Sequence, residues 1–600
     1  MKFLKLSLAL VLSTLYLVLC TTAAKAENEF SVDSTVTYKV QDSGKTTVTH
    51  DITLENNFST LYATTYTLSL ENINAENIKA TTVNGSPITV DTQKNGDKTD
   101  IKVSFADSVV GKNAKRHFFI SYENGSFAVK TGEVWEISIP RLGNQNAFRN
   151  YTVHLIVPES FGLEAYMSPQ PDTSQDYNGG HTYIFNKNNI TQTGITAGFG
   201  QFQVFSFNLA YHLENPLARN SETTIAFPPD TAFQKIYLQS IDPKPSNVEV
   251  DEDGNWLAHY KLSPRQRIDV NVAGTVQIFA GFRTFPKPTQ EVLNNNLAST
   301  QYWQADDPQI KELAQQLKTP HSIYNFVATK LNYDYSRVQP NVQRMGAVEA
   351  LNRPDQAICM EFTDLFIAIA RAAGIPAREI NGYAYTENPQ LQPLSLVADV
   401  LHSWPEYYDK EKGVWIPIDP TWGSTTGGVD FFNKLDLRHF TFVIHGKDAT
   451  KPYAPGSYKL GPNPQKDIFV SFGKLPQDRT SIPQISGNLK TVKIENPGPV
   501  ALYGLYPSVY FDDKEKGRDF ISILPPYSIY NMPISIPFSL LGKDTPDIVT
   551  VKVQNSQFQI PTNKKQVVIN SLVIIFVLFL AILIFILYKR YAKKLFAKAS

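Results

Sequence analysis

Cysteine is nearly absent from this sequence, since only Cys20 and Cys359 occur in 600 residues. Two cysteines exclude a disulfide framework, so stability must come from ordinary apolar cores. An excess of one charge is also lacking, because Lys plus Arg equal Asp plus Glu at 56 each. Nothing in this balance points to a nucleic acid or a strongly acidic partner. Hydrophobic residues make up 42% of the chain, which is enough for several folded domains.

The N-terminal segment has the pattern of a secretory signal peptide. Two lysines precede an apolar run that ends at Cys20, and Ala24-Lys25-Ala26 places small residues at the cleavage positions. A short transmembrane anchor is the weaker interpretation, because the run is short. A lipoprotein attached through Cys20 is weaker still, because Leu19 is large where a small residue is expected. We therefore predict that residues 1–26 are removed, which leaves Cys359 as an unpaired thiol.

A long uncharged run lies near the C-terminus. Residues 567–588 contain only Asn570 and Ser571 as polar groups. About 20 apolar residues span a bilayer as a helix. Residues 589–600 are rich in Lys and Arg, which favour the cytoplasmic side. The sequence therefore predicts a single-pass cell-membrane protein with a membrane helix at 567–588, a cytoplasmic tail at 589–600 and its N-terminal bulk outside the cytoplasm.

The outer portion is predicted to contain several domains, most of them β. Val36, Tyr38 and Val40 alternate with polar residues, turn residues follow, and a second alternating run completes the pattern of a hairpin. Helical periodicity begins only near residue 290, and strand patterns return near 379. The predicted order is an N-terminal β-sandwich (27–205), a second β unit with a linker (206–289), an α+β domain (290–455) and a membrane-proximal β-sandwich (456–563).

Cys359 opens the most informative stretch, CMEFTDLFIAIARAAGIP. Phe362, Phe366, Ile369 and Ala373 recur at helical spacing and predict one apolar helix face, and the glycine that follows is a natural stop. Cys359 is therefore expected at the N-terminus of this helix, with Asp355 and Gln356 as capping candidates. Backbone N–H groups there favour an anion, and the thiolate is the nucleophilic form of cysteine.

Two later segments supply the partners that a nucleophilic thiolate needs. LHSWPEYY places His402, Trp404 and Glu406 on one face of a predicted strand, and VWIPIDPTWG places Asp419 at the end of the next strand. Lys410–Gly413 between them is turn-like, so a hairpin could bring Asp419 near His402. An aspartate hydrogen-bonded to a histidine fixes the tautomer and stabilises the imidazolium.

Three segments in roughly residues 290–445 together resemble the microbial form of the transglutaminase-like superfamily. They are the Cys359 stretch, HSWPEYY and GVWIPIDPTWG. The resemblance implies a papain-like α+β core in which Cys359 is the nucleophile, His402 the base and Asp419 the orienting carboxylate. Trp404 matches the aromatic residue that follows the family's histidine, and it is a weak cleft candidate. Gln356 is a weak candidate for the oxyanion site beside the backbone N–H of Cys359. The family usually has glycine where this chain has Ala357.

The resemblance implies a cell-surface thiol enzyme that crosslinks or hydrolyses carboxamide or peptide bonds through a thioester. Its expected substrates are proteins or peptides, including cell-wall peptide. The sequence does not identify the amide donor or the acceptor. The competing hypothesis is a non-catalytic surface adhesin or scaffold that retains the fold. The sequence shows no metal-ligand cluster, phosphate-binding glycine loop or nucleotide fingerprint, so no cofactor or metal is expected. Asp251–Asn255 lacks the later glutamate of a calcium loop and is more simply an acidic turn. No nucleic acid partner is expected.

Overall fold

The computed structural model describes residues 28–596, with gaps at 178, 191–192, 340–341, 395–398, 400, 461–464 and 538. The predicted signal peptide and the last four residues of the predicted tail lie outside the described residues. The chain divides into two compact units. The first consists of Met1–Lys130, Trp135–Gly162 and Met167–Ala197, and the second of Thr131–Val134, Leu163–Tyr166 and Gly198–Ser600.

The first unit is built on long strands. β1 (Phe30–Val40) and β2 (Thr46–Asn56) form the predicted antiparallel hairpin, with Val36 opposite His50. Their buried and half-buried residues alternate, which confirms that one sheet face packs inward. The strands and the short helix that follow are β3 (Thr65–Glu71), β4 (Glu76–Thr82), β5 (Pro87–Asn95), β6 (Lys98–Ser104), β7 (Lys115–Asn124), β8 (Ala128–Thr131), β9 (Val134–Ile139), β10 (Asn150–Pro158), β11 (Glu164–Ser168), β12 (Thr173–Tyr177), β13 (Gly180–Asn186), α1 (Lys187–Ile190) and β14 (Ile195–Phe199).

The second unit begins with a further β region. Its strands are β15 (Phe202–Glu214), β16 (Ser221–Phe227), β17 (Gln234–Asp242), β18 (Asn247–Val250), β19 (Trp256–Leu262) and β20 (Arg267–Phe279). β18 and β19 form the predicted hairpin, and the Asp251 carboxylate closes its turn by accepting the N–H groups of Asp253 and Asn255 at 3.0 and 2.8 Å. The sequence did not predict that β15 also pairs with β25 (Ile468–Phe472), which lies far beyond it in the chain and places Leu209 opposite Ile468. The predicted domain boundaries stay predictions.

Helices and one antiparallel sheet form the α+β core within the second unit. Its helices are α2 (Gln290–Asn295), α3 (Pro308–Leu317), α4 (Pro320–Lys330), α5 (Ala347–Asn352), α6 (Cys359–Ala372) and α7 (Pro420–Thr425). Its strands are β21 (Ala377–Ala384), β22 (His402–Asp409), β23 (Val414–Pro417) and β24 (His439–His445), in the order β23-β22-β21-β24. The predicted turn joins β22 to β23. The register places Gly382 opposite His402 and Ala384 opposite His439, so β22 and β24 start at the same edge of the sheet.

α6 is buried on all sides rather than along one face. Phe362, Phe366 and Ile369 are fully buried, as the periodicity predicts. The polar side of the helix is buried too, because Glu361 and Asp364 have no exposed surface. The predicted apolar face is therefore present, and the polar side of the helix is buried as well. Buried charged groups persist only when they are paired, and α6 obtains its partners from neighbouring loops and strands.

Arg344 supplies the main ion pair of Asp364, whereas Glu361 pairs with Arg337 at 3.2 Å. Arg344 Nε lies 2.9 Å from Asp364 Oδ2 and Arg344 Nη2 lies 2.9 Å from Glu379 Oε2 on β21. Removing one partner of a buried ion pair leaves an uncompensated charge, so we expect Arg344→Met to destabilise the core by about 3–5 kcal/mol. The shift of the urea midpoint followed by tryptophan fluorescence measures this loss. Arg353→Met is the matched control, since the exposed pair of Arg353 with Glu349 should contribute less than about 1 kcal/mol. Equal shifts in the two variants would contradict the prediction.

Short strands and one long helix complete the described chain. The strands are β26 (Gln484–Gly487), β27 (Thr491–Glu495), β28 (Leu502–Leu505), β29 (Ser508–Phe511), β30 (Lys514–Arg518), β31 (Ile521–Leu524), β32 (Ile529–Pro533), β33 (Ile548–Val553) and β34 (Ser556–Pro561). α8 (Lys564–Phe596) follows, and its portion Lys564–Ala592 is long and apolar enough to cross a membrane. Its side chains are mostly exposed, so no protein core accounts for their apolar character. The predicted span at 567–588 lies inside this helix.

Candidate active site

Cys359 lies at the first position of α6, directly after a short 3₁₀ turn at Pro354–Gln356. Among the described residues, nothing accepts a hydrogen bond from its backbone N–H, as expected for the first turn of a helix. The Cys359 residue is 5% exposed. The thiol therefore lies at a helix N-terminus, as the sequence predicts.

The residues that support the start of α6 are not the predicted ones. The cap position is Ile358, whose N–H donates to the Glu361 carboxylate at 3.0 Å. Asp355 lies outside the cap and accepts from the Asn332 amide at 2.6 Å. The exposed Gln356 lies three residues before Cys359, and its backbone carbonyl accepts from Arg337. The structure gives the Gln356 side chain no contact at the thiol.

His402 and Asp419 meet as the hairpin pattern predicts. His402 Nε2 lies 2.9 Å from Asp419 Oδ2, and both side chains are completely buried. The other carboxylate oxygen of Asp419 accepts the N–H groups of Thr421 and Trp422 at 2.9 and 3.1 Å, so this residue also caps α7. Because the cap fixes one oxygen, the second is held toward His402. The other ring nitrogen of His402, Nδ1, is buried and makes no standard hydrogen bond within the described chain.

The charges of this cluster shift its pKa values in a consistent direction. Burial alone would lower the pKa of His402, but the charge of Asp419, their hydrogen bond and an interaction with the Cys359 thiol raise it to about 9. Burial would raise the pKa of Asp419, yet the charges and hydrogen bonds of His402 and His439 hold it well below its usual range. The cluster therefore favours a His402 imidazolium beside an Asp419 carboxylate at neutral pH.

Aromatic rings hold the His402 imidazole in place. The Trp404 ring lies 5.9 Å from it at an interplanar angle of 29°, and the Trp422 ring lies 5.2 Å from it at 21°. A Cβ on Gly382 would lie 2.5 Å from the Trp404 ring, so only glycine leaves room for that ring. Trp404 is buried and lines a cavity of about 310 Å³ together with Asp436 and His439.

Sequence reasoning missed two members of the cluster, His439 and Asp436. His439 begins β24, and its Nε2 lies 3.3 Å from the same Asp419 oxygen that contacts His402. Its Nδ1 lies 2.6 Å from Asp436 Oδ1. The only local signal was an aspartate three residues before a histidine at the start of a strand. This spacing is too common to select the pair without the sheet.

The side chains of this cluster include residue types that can bind a metal ion. Among the described residues, His402, Asp419 and His439 bring three suitable donor atoms within 4.8 Å of one another. Each histidine directs Nε2 toward the Asp419 carboxylate, and the pKa of each is raised to about 9. A metal ion would have to displace both protons, so the arrangement suits hydrogen bonding and proton transfer better than coordination.

Comparison with known proteins agrees with this geometry. The family model for the transglutaminase-like superfamily matches residues 305–420. A protein-glutamine gamma-glutamyltransferase of Pseudomonas aeruginosa is 28% identical over 124 residues, which are 19% of this chain and 18% of that protein. The chain thus spans less than a fifth of the length of this relative.

Two solved structures are similar to parts of the chain at low identity. A candidate cysteine protease from Cytophaga hutchinsonii is 16% identical with a TM-score of 0.27, and the match covers 46% of this chain and 99% of that one. The periplasmic domain of TgpA from Pseudomonas aeruginosa is 15% identical with a TM-score of 0.22, covering 38% and 91%. The family match contains Cys359, His402 and Asp419, and it is the finding that identifies this part of the chain: residues 305–420 are a core of the transglutaminase-like superfamily.

Proposed function

We propose that this protein is a membrane-anchored thiol enzyme that acts on carboxamide or peptide carbonyls outside the cytoplasm. The observation that carries the proposal is the 2.9 Å contact of His402 Nε2 with Asp419 Oδ2, because it leaves Nδ1 of His402 for the Cys359 thiol. A thiol, an imidazole and a carboxylate in this order are the groups that nucleophilic acyl transfer requires. Apo geometry in such sites is often loose and tightens when substrate binds.

In the proposed reaction the Cys359 thiolate attacks the carbonyl carbon, and the backbone N–H of Cys359 stabilises the oxyanion. The C–N bond then breaks, and the His402 imidazolium protonates the departing ammonia or amine. The product of this step is a thioester on Cys359. An incoming amine or water attacks the thioester while His402 accepts its proton, and cleavage of the C–S bond regenerates the thiolate.

The leading acyl donor is a glutamine side chain. The relative from Pseudomonas aeruginosa is named a protein-glutamine gamma-glutamyltransferase, and 124 residues of this chain are 28% identical to it. We therefore propose transfer of a γ-glutamyl group to an amine as the main reaction, with hydrolysis as its competitor. Supplying a glutamine peptide with and without hydroxylamine distinguishes them, because transfer yields a hydroxamate and hydrolysis yields glutamate.

The location follows from the two ends of the chain. The predicted signal peptide would export the bulk of the protein, and the apolar helix at Lys564–Ala592 would retain it at the membrane. The basic residues after 588 would remain cytoplasmic. Substrates would then be exposed proteins or peptides, including cell-wall peptide, on the outer side of this membrane.

One observation favours a second candidate, a non-catalytic surface scaffold that retains the fold. Cys359 is only 5% exposed, and a buried free cysteine often serves as a small apolar residue. A scaffold would not need an activated thiol. The reactivity of Cys359 therefore decides between the two candidates.

Alkylation of Cys359 by iodoacetamide tests the catalytic proposal. An unassisted cysteine is only a few per cent thiolate at pH 7, so loss of the His402 imidazolium should slow alkylation by about 10- to 100-fold in His402→Ala. Mass spectrometry of the Cys359 peptide over time measures the rate. His154→Ala, on strand β10, is the matched control and should react like the wild type. Slow alkylation of the wild type, or equal rates with and without His402, would leave the scaffold as the better explanation.

A further inference from the structure

His439 is the one histidine of the candidate site that the proposed reaction does not use. Both of its ring nitrogens face carboxylates, with Nδ1 at 2.6 Å from Asp436 Oδ1 and Nε2 at 3.3 Å from Asp419 Oδ2. A neutral imidazole carries one N–H and can donate to only one of them. Two carboxylate acceptors therefore require a second proton in this cluster, either on the ring or on a carboxyl group.

The hydrogen bonds of the carboxylates place that proton on the ring. One oxygen of Asp419 accepts from two backbone N–H groups, and the other faces His402 and His439. The oxygen of Asp419 that could carry a proton faces only these two ring nitrogens, and a carboxyl group is a much stronger acid than an imidazolium, so the proton belongs on a ring. Asp436 Oδ1 likewise accepts the Arg438 N–H at 3.0 Å besides the contact with His439. The geometry is thus that of two carboxylates with an imidazolium between them.

We propose that His439 is a positioning residue, an imidazolium at neutral pH that is held by Asp436 and that sets both the orientation of Asp419 and the proton affinity of His402. This inference rests on the proposed function, because it concerns the same proton-transfer site. Burial alone would lower the pKa of His439, but the charges and hydrogen bonds of Asp436 and Asp419 raise it to about 9. The ring is thus mostly charged at neutral pH.

The charge of His439 acts on His402 across a short distance. The two ring centroids are 5.8 Å apart, and Asp419 lies between them as a shared acceptor. A like charge at this distance lowers a pKa by about 1 unit or more. Without His439, the whole charge of Asp419 would stabilise the His402 imidazolium, which would then release its proton to the leaving amine less readily. His439 would in this way keep His402 an effective acid.

The other groups around His439 do not replace this effect. The Trp404 and Trp422 rings lie 4.9 and 4.6 Å from it and carry no charge. The remaining charged side chains belong to the lining of the 310 Å³ cavity that His439 and Asp436 also border. Those charged side chains are Glu406, which pairs with Arg378 at 2.8 Å, Lys412, which pairs with Asp409 at 3.1 Å, and Lys434, which pairs with Glu164 at 3.3 Å. Each already has a partner of opposite charge.

The pH dependence of Cys359 alkylation tests the inference on the full-length protein in detergent. The alkylation rate should change near pH 9, where His402 loses its proton. In His439→Gln, which keeps one donor toward Asp419 but no charge, this inflection should move upward by about 1 pH unit. His445→Gln is the matched control on the other end of β24, because His445 contacts Glu379 and Pro452 and not Asp419. Its inflection should stay at the wild-type pH.

A second measurement needs no substitution and so does not depend on the folding of a variant. In the ¹⁵N spectrum of the histidine-labelled wild type, both ring nitrogens of His439 should be protonated at pH 7. An unprotonated nitrogen there, or an unmoved inflection in folded His439→Gln, would overturn the inference. Neither result would touch the proposed function, which instead fails if alkylation at pH 7 does not depend on His402.

Discussion

Cys359→Ala is expected to abolish acyl transfer, with a loss of turnover on the order of 10⁶-fold, because the thioester cannot form without the sulfur. Release of ammonia from a glutamine peptide in the presence of an amine measures turnover. The absence of a thioester adduct in the intact mass after rapid quenching provides a second readout. Because Cys359 is small and buried, the fold should survive the loss of one atom, which thermal unfolding checks.

The matched control for this substitution is Cys20→Ala. Cys20 is the only other cysteine in the sequence, and it lies in the predicted signal peptide. The exported Cys20→Ala protein should keep wild-type turnover. Turnover of Cys359→Ala within tenfold of the wild type would show that another group performs the reaction and that the assignment of the nucleophile is wrong.

Asp419→Asn is expected to lower turnover by about 10⁴-fold while leaving the fold intact. The asparagine oxygen can still accept from the N–H groups of Thr421 and Trp422, so the cap of α7 remains. Its amide, however, places N–H donors against the ring nitrogens of His402 and His439, and the negative charge is lost. Both the orientation of His402 and the stabilisation of its imidazolium then disappear.

The pH dependence of turnover in Asp419→Asn should shift in a direction that a purely structural defect would not produce. In the wild type the charge of Asp419 raises the pKa of His402 to about 9, so the imidazolium needed to protonate the leaving amine persists until the pH rises through 9. In the variant only the Cys359 thiol still opposes the lowering effect of burial on the pKa of His402, so this alkaline limb should move to lower pH. Turnover measured from pH 6 to 10 reports the shift.

A carboxylate of the same hairpin serves as the control for Asp419→Asn. Asp409 ends β22, is partly exposed and pairs with Lys412. Asp409→Asn should change turnover by no more than about twofold, as for most surface substitutions. If Asp409→Asn and Asp419→Asn lost similar activity, or if the alkaline limb of Asp419→Asn stayed in place, the role given to Asp419 would be untenable.

Local patterns were sufficient to predict many of the elements. The hairpin of β1 and β2 follows from period-two alternation around a turn, and α6 follows from apolar spacing that ends at a glycine. The apolar helix at the C-terminus follows from length and lack of charge alone. In each case the decisive interactions occur within a few residues along the chain, so the order of residue types carries the information.

Other features depend on contacts between distant segments and had no local signal. The burial of the polar side of α6 depends on Arg344, which arrives from a separate loop. The pairing of β15 with β25 joins strands that lie far apart in sequence. Helix and strand periods describe which residues share a face, but they do not say how many faces a neighbour will cover. The spacing in α6 therefore predicted its apolar face correctly, but it gave no indication that the polar side is buried as well.

The same distinction between local patterns and contacts of distant segments applies to the candidate site. Sequence by itself determined which thiol, imidazole and carboxylate could form a triad, because each belongs to a short motif and the turn at Lys410–Gly413 pairs two of them. Only the tertiary structure decided that a second histidine shares the Asp419 carboxylate. β21 brings the starts of β22 and β24 to one edge of the sheet, and the charge of an imidazole depends on which acceptors surround it in space.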